Sequence, residues 1–179
     1  MNTKPVENRE NLKEMKNNIP CFILAGGKSS RFGSDKAKLF YKHQYNLCKK
    51  VFKEVYFVAK EKKFKKYPFF LEKSKTFAPF FALEEIIKKH KKVFVLNIDT
   101  PLVSPDTLKK LLKQKAVAEE NPLIGFYDYT MLKNFNNETL KIYGINKKKV
   151  SINKESVNIN RKEDLNLLPN KFRKRFKIK

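Results

Sequence analysis

Between Leu24 and Lys36 the chain reads Leu-Ala-Gly-Gly-Lys-Ser-Ser-Arg-Phe-Gly-Ser-Asp-Lys, which packs three glycines, three serines and three cations into one loop. That composition suits a polyphosphate. Glycine lets the backbone come close to an anion and take conformations closed to other residues, so successive amide N–H groups can point at phosphate oxygens. Arg31 and Lys36 can add positive charge where a departing pyrophosphate would develop negative charge. The spacing matches neither the dinucleotide fingerprint nor the Walker A loop, because no third glycine follows at the required offset and the first lysine directly follows the second glycine. A different phosphate loop is implied. Far along the chain, Asp99-Thr100-Pro101 closes an apolar run; a carboxylate there either shapes a strand-to-helix turn or faces a ligand.

Both segments need a scaffold. The run Ile19 to Ala25 is continuously apolar, the pattern of a strand buried on both faces of a parallel sheet, and it stops at Gly26-Gly27. A helix follows around Tyr45 to Lys53, then a strand from Val55 to Ala59. The order repeats with a short strand at Phe69 to Leu71, a helix from Phe80 to His90 and a strand from Val93 to Ile98. Ser104-Pro105-Asp106 reads as a helix start, with an N-cap serine, proline at the first helical position and an acid in the first turn, and Leu108, Leu111 and Leu112 form its apolar stripe. Leu123 to Tyr127 and Val157 to Ile159 read as further strands, and Arg161 to Leu168 as a short closing helix. Strands alternating with helices predict an α/β fold of three layers, α/β/α, Rossmann-like and doubly wound around a mostly parallel sheet. In such sheets ligands bind beyond the carboxyl ends of the strands, which puts the loop after Ala25 and the turn at Asp99 on one rim.

At 179 residues the chain is expected to form one domain over residues 19–170, with a flexible extension at 1–18 and a basic, frayed tail at 171–179. The formal net charge is +23, which raises nucleic-acid binding as a possibility. Only Arg9, Arg31, Arg161, Arg173 and Arg175 among the 41 basic residues are arginine, and the lysines are dispersed along the chain. Dispersed lysine reads as a solvated surface rather than a designed patch, so no specific nucleic acid is expected; a basic surface still favours polyanionic small molecules. Cys21 and Cys48 are too far apart in sequence for a metal-binding pair and are read as reduced, Cys21 buried in its strand. His43 and His90 are read as solvated. No run approaches the ~20 apolar residues of a membrane span and residues 1–18 lack an apolar leader, so a cytoplasmic protein with no membrane partner is expected.

The loop resembles the signature of the molybdenum cofactor guanylyltransferase (MobA) family, within the nucleotidyltransferases of Rossmann-like fold: Leu-Ala-Gly-Gly, a serine, an arginine two residues later, Met-Gly, then Asp-Lys. Phe32 stands for the usual Met, and every polar position is kept. Asn121-Pro122-Leu123 resembles the family strand that begins His-Pro-Leu, and Val157-Asn158-Ile159-Asn160 its Asn-x-Asn segment before the last helix, where Arg161-Lys162-Glu163-Asp164 replaces a Thr-Pro opening. The likeness runs from about Phe22 to Leu168. Two departures stand out: Ala78 and Ala82 occupy positions where the family carries glycine, and Glu72 is the only acid near the family's guanine-reading Asp.

The resemblance implies an enzyme that transfers GMP from GTP to the terminal phosphate of a molybdopterin cofactor. Arg31, Lys36 and Asp99 would be catalytic, with Asp99 as the Mg2+ ligand; Leu24, Ala25, Gly26, Gly27, Ser29, Glu72, Asn158 and Asn160 would complete the binding site. Molybdoenzyme apoproteins or their chaperones would receive the product. A carboxylate at 72 suits guanine, which presents N1–H and N2–H on one edge. Two other readings use the same residues: a transferase acting on CTP or another triphosphate, or a non-catalytic relative that only holds the cofactor.

Overall fold

A computed structural model describes residues 16–26, 32, 35–75, 78–134 and 148–176. Its order is strand β1 (Cys21–Leu24), helix α1 (Ala37–Val51), strands β2 (Val55–Ala59) and β3 (Phe69–Leu71), helix α2 (Pro79–His90), strand β4 (Lys92–Asn97), helix α3 (Pro105–Gln114), strands β5 (Val117–Ala118), β6 (Gly125–Asp128) and β7 (Lys149–Val150), and helix α4 (Asn170–Arg175). The strands form one sheet in the order β3-β2-β1-β4-β6-β5-β7. β1 pairs in parallel with both β2 and β4, whereas β6 runs antiparallel to β4 and β5. The sheet is therefore mostly parallel at its centre and mixed at one end.

The alternation of side chains explains why the strands carry no polar face. Cys21 and Ile23 belong to an apolar cluster that also holds Phe40 and Leu47 of α1 and Leu108 and Leu111 of α3. Phe22 and Leu24 point the other way, into a cluster with Phe80, Leu83, Ile86 and Ile87 of α2. β4 divides in the same manner, with Phe94 and Leu96 on the first face and Val93 and Val95 on the second. A strand covered on both faces has to be apolar throughout. The result is three layers, with α1 and α3 on one side of the sheet and α2 on the other.

α1 begins at Ala37, well before the expected Tyr45. Asp35 starts it: its Oδ1 accepts the Ala37 N–H at 3.1 Å, the turn-forming role short acids take. α3 has the foreseen start, the Ser104 hydroxyl accepting the Thr107 N–H at 3.2 Å. Val157 to Ile159 is extended but outside the sheet: the Ile159 N–H goes to the carbonyl of Asp99 at 2.9 Å. The closing helix is a 3-10 segment, Glu163–Leu167. β5 and β7, two residues each, gave too short a pattern to read.

Three expectations need correction. Over 170–176 the chain is not frayed: Phe172 and Phe176 of the α4 region pack on the core, Phe176 meeting Phe40 edge-on at 5.1 Å between ring centroids. The chain is already tied to the end of α1 at Asn17, whose N–H donates to the Val51 carbonyl at 2.8 Å. The histidines are half-buried rather than freely solvated. His43 bonds the Pro101 carbonyl through Nε2 at 2.9 Å and packs against Phe172 and Phe176, while His90 lies 4.9 Å from the Phe22 ring. Burial lowers the pKa of both. Cys21 and Cys48 are free and buried, and they meet in space; burial first, then the contact with Cys48, pushes the Cys21 thiol up, so it stays protonated and unreactive.

Among the described residues, Gly125 is the position where the fold demands glycine. Its φ is 156°, and an added Cβ would lie 2.5 Å from the Val117 Cα and 2.7 Å from the Ala116 carbonyl oxygen. Gly125→Ala should lower the free energy of unfolding by about 1–3 kcal/mol in a denaturant titration; an unchanged midpoint would contradict this close approach. For His43, a folded-state pKa below the usual 6.5 means the unfolded chain takes up the proton first. Stability is then retained above about pH 6.5 and lost as pH falls below it. The melting temperature of His43→Gln should decline less steeply between pH 7 and pH 5.5 than that of the natural chain, and parallel curves would contradict it.

Candidate active site

The β1–β4 ladder places the two polar segments beside one another. Leu24 pairs with Asn97, and the Ile98 N–H extends the ladder by donating to the Leu24 carbonyl at 3.2 Å. The chain then leaves β1 at Ala25-Gly26 and leaves β4 at Asp99 on the same rim. Gln44 of α1 braces this second exit, its Nε2 donating to the carbonyls of Thr100, Asn97 and Ile98.

Asp99 is nearly buried, with 9% of its surface exposed. Its Oδ2 lies 2.5 Å from the Lys36 ammonium, and the same ammonium donates to Asn160 Oδ1 at 3.1 Å. Asp99 Oδ1 is buried and has no partner. A buried carboxylate oxygen without a donor costs free energy in isolation, so the atom is suited to a cation that arrives with a ligand. Among the described residues no cluster of three or more His, Cys, Asp or Glu side chains could hold a metal alone. One carboxylate accords with Mg2+, which takes one or two and completes its shell with phosphate and water.

The Asn-x-Asn segment reaches the same place. Asn160 is set by Asp164, whose Oδ2 accepts the Asn160 and Arg161 N–H groups at 2.7 and 2.8 Å. Asn158 accepts from the Asn121 amide at 3.1 Å, and Asn121 is itself fixed by the Leu123 N–H. Lys36, Asp99 and Asn160 therefore form one contact group, with Asn158 and Asn121 beside it.

Glu72 follows β3 on the other side of β1. Its Oε1 is 3.6 Å from the point where a Cβ on Gly26 would lie, and 3.6 Å from the Lys60 ammonium. Burial raises the carboxyl pKa and Lys60 pulls it back. Gly26 has no left-handed φ, and a methyl there would make only ordinary contacts, with Glu72 and with the Val58 carbonyl at 3.9 Å. The missing side chain leaves space beside Glu72 instead of permitting an unusual backbone. Leu24 and Ala25 are committed to the protein: both side chains are buried, and the Ala25 N–H donates to the Val58 carbonyl at 2.9 Å. The Ala25 carbonyl accepts from Lys63, which also pairs with Asp35 at 3.5 Å. Gly27, Ser29 and Arg31 lie outside the described residues. Ala82 packs its methyl into the apolar cluster under β1, and Ala78 is the half-buried N-cap of α2.

Gln44 and Lys63 were not singled out from sequence; His43 was read only as solvated, and Asp164 only as part of the segment that replaces a Thr-Pro opening. A signal existed for Gln44, the one polar residue on the buried stripe of α1. The others lie in Lys-rich or mixed-charge stretches with no distinguishing pattern.

A doubly wound sheet with a Gly-rich loop, a lysine and a carboxylate at its carboxyl rim defines a nucleotide-binding α/β protein. Residues 21–130 match the family of the MobA-like NTP transferase domain. The chain belongs to that family and is a nucleotidyltransferase. A molybdenum cofactor guanylyltransferase of Campylobacter jejuni subsp. doylei is 36% identical over 142 residues, which cover 68% of this chain and 74% of the relative. A crystal structure of an Aquifex aeolicus protein superposes with a TM-score of 0.68 at 28% identity, covering 82% of this chain and 96% of that one. The molybdopterin-guanine dinucleotide biosynthesis protein A of Archaeoglobus fulgidus has the same fold, with a TM-score of 0.66 at 16% identity over 83% of this chain and 95% of that one. No helix among the described residues is long and apolar enough to cross a membrane.

Because a methyl at Gly26 fits the folded chain, Gly26→Ala should leave the melting temperature within about 2 °C of the natural value, an effect of no more than about 0.5 kcal/mol. It should nonetheless weaken nucleotide binding measured by calorimetry. Unchanged binding would place the nucleotide elsewhere.

Proposed function

We propose that this chain transfers GMP from GTP to the terminal phosphate of the molybdenum–molybdopterin cofactor, giving the guanine dinucleotide form and pyrophosphate. The observation that carries the reading is the Lys36–Asp99–Asn160 group on the rim where the adjacent strands β1 and β4 end, with Asp99 Oδ1 buried and unpaired. The name of the 36% identical relative supports the choice of substrates.

In this reading the triphosphate lies over Gly26 and Gly27, with Ser29 and Arg31 of the same loop contributing to its grip. Lys36 turns from Asp99 towards the phosphates. Asp99 would hold Mg2+, which when bound would supply charge neutralisation on the phosphate oxygens. A terminal phosphate oxygen of the acceptor attacks the α-phosphorus in line; the bond from the α-phosphorus to the bridging oxygen breaks, and that oxygen leaves with pyrophosphate. Lys36 and Arg31 stabilise the charge gathered on the leaving group. No covalent enzyme intermediate is needed, and rate comes from orientation and electrostatics. Glu72 reads the base, its carboxylate accepting guanine N1–H and N2–H; cytosine, adenine and uracil cannot offer that pair of adjacent donors. Asn158 and Asn160 line the acceptor side, and a molybdoenzyme apoprotein or its chaperone receives the product.

Thermal melts with GTP, CTP, ATP and UTP, each with Mg2+, test the base. A ligand at about 100 times its dissociation constant adds about 2.7 kcal/mol. GTP should raise the melting temperature and the others should not; stabilisation by CTP alone would overturn the guanylyl assignment. Lys36→Ala and Asp99→Ala should each fold and lose about 100-fold or more of pyrophosphate release from GTP and cofactor. Near-natural turnover in either variant would refute its role.

A further inference from the structure

α1 presents Ala37, Phe40, Leu47, Cys48 and Val51 on one buried stripe, and Gln44 stands in the middle of it with 0% of its surface exposed. A primary amide in that position loses its hydration and has to find partners. Its Nε2 donates to the Thr100 carbonyl at 2.9 Å, the Asn97 carbonyl at 3.2 Å and the Ile98 carbonyl at 3.4 Å. These carbonyls flank Asp99 on both sides. The carbonyl of Asp99 itself is held from the opposite direction by the Ile159 N–H, and the Thr100 hydroxyl closes the turn onto the Asn97 carbonyl at 2.9 Å.

Carbonyl oxygens only accept, so the amide nitrogen has to be the atom that faces them. The other end of the side chain, Oε1, is buried without a partner. An apolar residue of the same shape would avoid that unpaired oxygen; what it would give up is the grip on the turn. Gln44 also lies two helical turns, roughly 12 Å, beyond Lys36, whose ammonium meets Asp99 Oδ2. One helix therefore holds the backbone on either side of Asp99 from its middle and supplies the counter-charge from its start.

We infer that Gln44 is a positioning residue for Asp99: by fixing the Asn97–Thr100 turn it sets the direction of the unpaired Oδ1 and so the affinity of the site for a divalent cation. The inference rests on the reading of Asp99 as the cation ligand. Groups that orient a ligand in this way typically change metal affinity or activity 10- to 100-fold when removed.

Two variants of the full chain test it. Gln44→Met keeps the length and removes the donors; Gln44→Asn keeps the amide and shortens its reach. For each, the affinity for the Mn2+ complex of GTP is divided by the affinity for GTP in excess chelator, both measured by calorimetry, which isolates the contribution of the cation's contact with the protein. The ratio should fall about tenfold or more in both variants while the affinity for metal-free GTP stays within about twofold. If Gln44→Met does not melt cooperatively, Gln44→Asn decides. In Asp99→Asn, measured alongside, the ratio should collapse towards about one. A natural ratio in the Gln44 variants, with the ratio lost in Asp99→Asn, would overturn the role of Gln44 and leave the cation site standing. A natural ratio in Asp99→Asn would overturn both.

Discussion

The parallel pairing of β1 with β4 is the constraint on which the site depends. Register alone brings Leu24 opposite Asn97, and the extra bond from the Ile98 N–H to the Leu24 carbonyl carries that alignment to the rim. Both strands are covered by helices on both faces, so a slip in register would misplace two apolar faces at once. The polar chemistry begins where the apolar strands stop. Gly26 and Asp99 follow the ends of two adjacent strands on one rim because those strands are locked together, and Lys36 joins the two segments directly through its contact with Asp99.

α1 adds the second constraint. It contributes Lys36 at its N-cap, Gln44 at its centre and His43 alongside, and all three reach the chain between Asn97 and Pro101. A rigid element that spans the charge and the backbone of one carboxylate fits a reaction whose acceleration comes from orientation. The carboxyl-terminal segment closes the site from the other side. Glu155 accepts the Ser104 N–H at 2.8 Å, and Glu120 accepts the Ile152 and Asn153 N–H groups; together they lead the chain to Asn158 and Asn160. Burial opposes ionisation of Glu120, but the Ser151 hydroxyl and then the Ile152 and Asn153 N–H groups, donating to its carboxylate, outweigh it and hold the carboxyl at about 2.

Much of this was legible in the residue order, for physical reasons that can be named. β2 and β3 lie where apolar runs begin and end, and α3 starts on the foreseen serine, because buried strands and capped helices leave local signals. The start of α1 was hidden: Asp35 accepts the Ala37 N–H just ahead of it, yet the same acid belongs to the loop motif and offered no separate mark. β5 and β7 are too short for any period to register. His43 and His90 sit among lysines in sequence, but their burial against Phe172, Phe176 and Phe22 is decided by elements distant in the chain. The same applies to the meeting of Cys21 with Cys48. Lys36, Asp99 and Asn160 were named from motifs and come together in space, whereas the part of Gln44 in holding Asp99 depends on three carbonyls that no pattern announces.

The central claim is that one carboxylate and one loop on a shared rim hold a metal–triphosphate between them. The most direct measurement is a crystal structure of the protein with a non-hydrolysable GTP analogue and Mn2+, in which anomalous scattering locates the cation. The account predicts the Mn2+ signal on the Asp99 carboxylate, with the triphosphate over Gly26 and Gly27 and the guanine edge at Glu72. A cation bound away from Asp99, or a triphosphate on the opposite rim of the sheet, would contradict it.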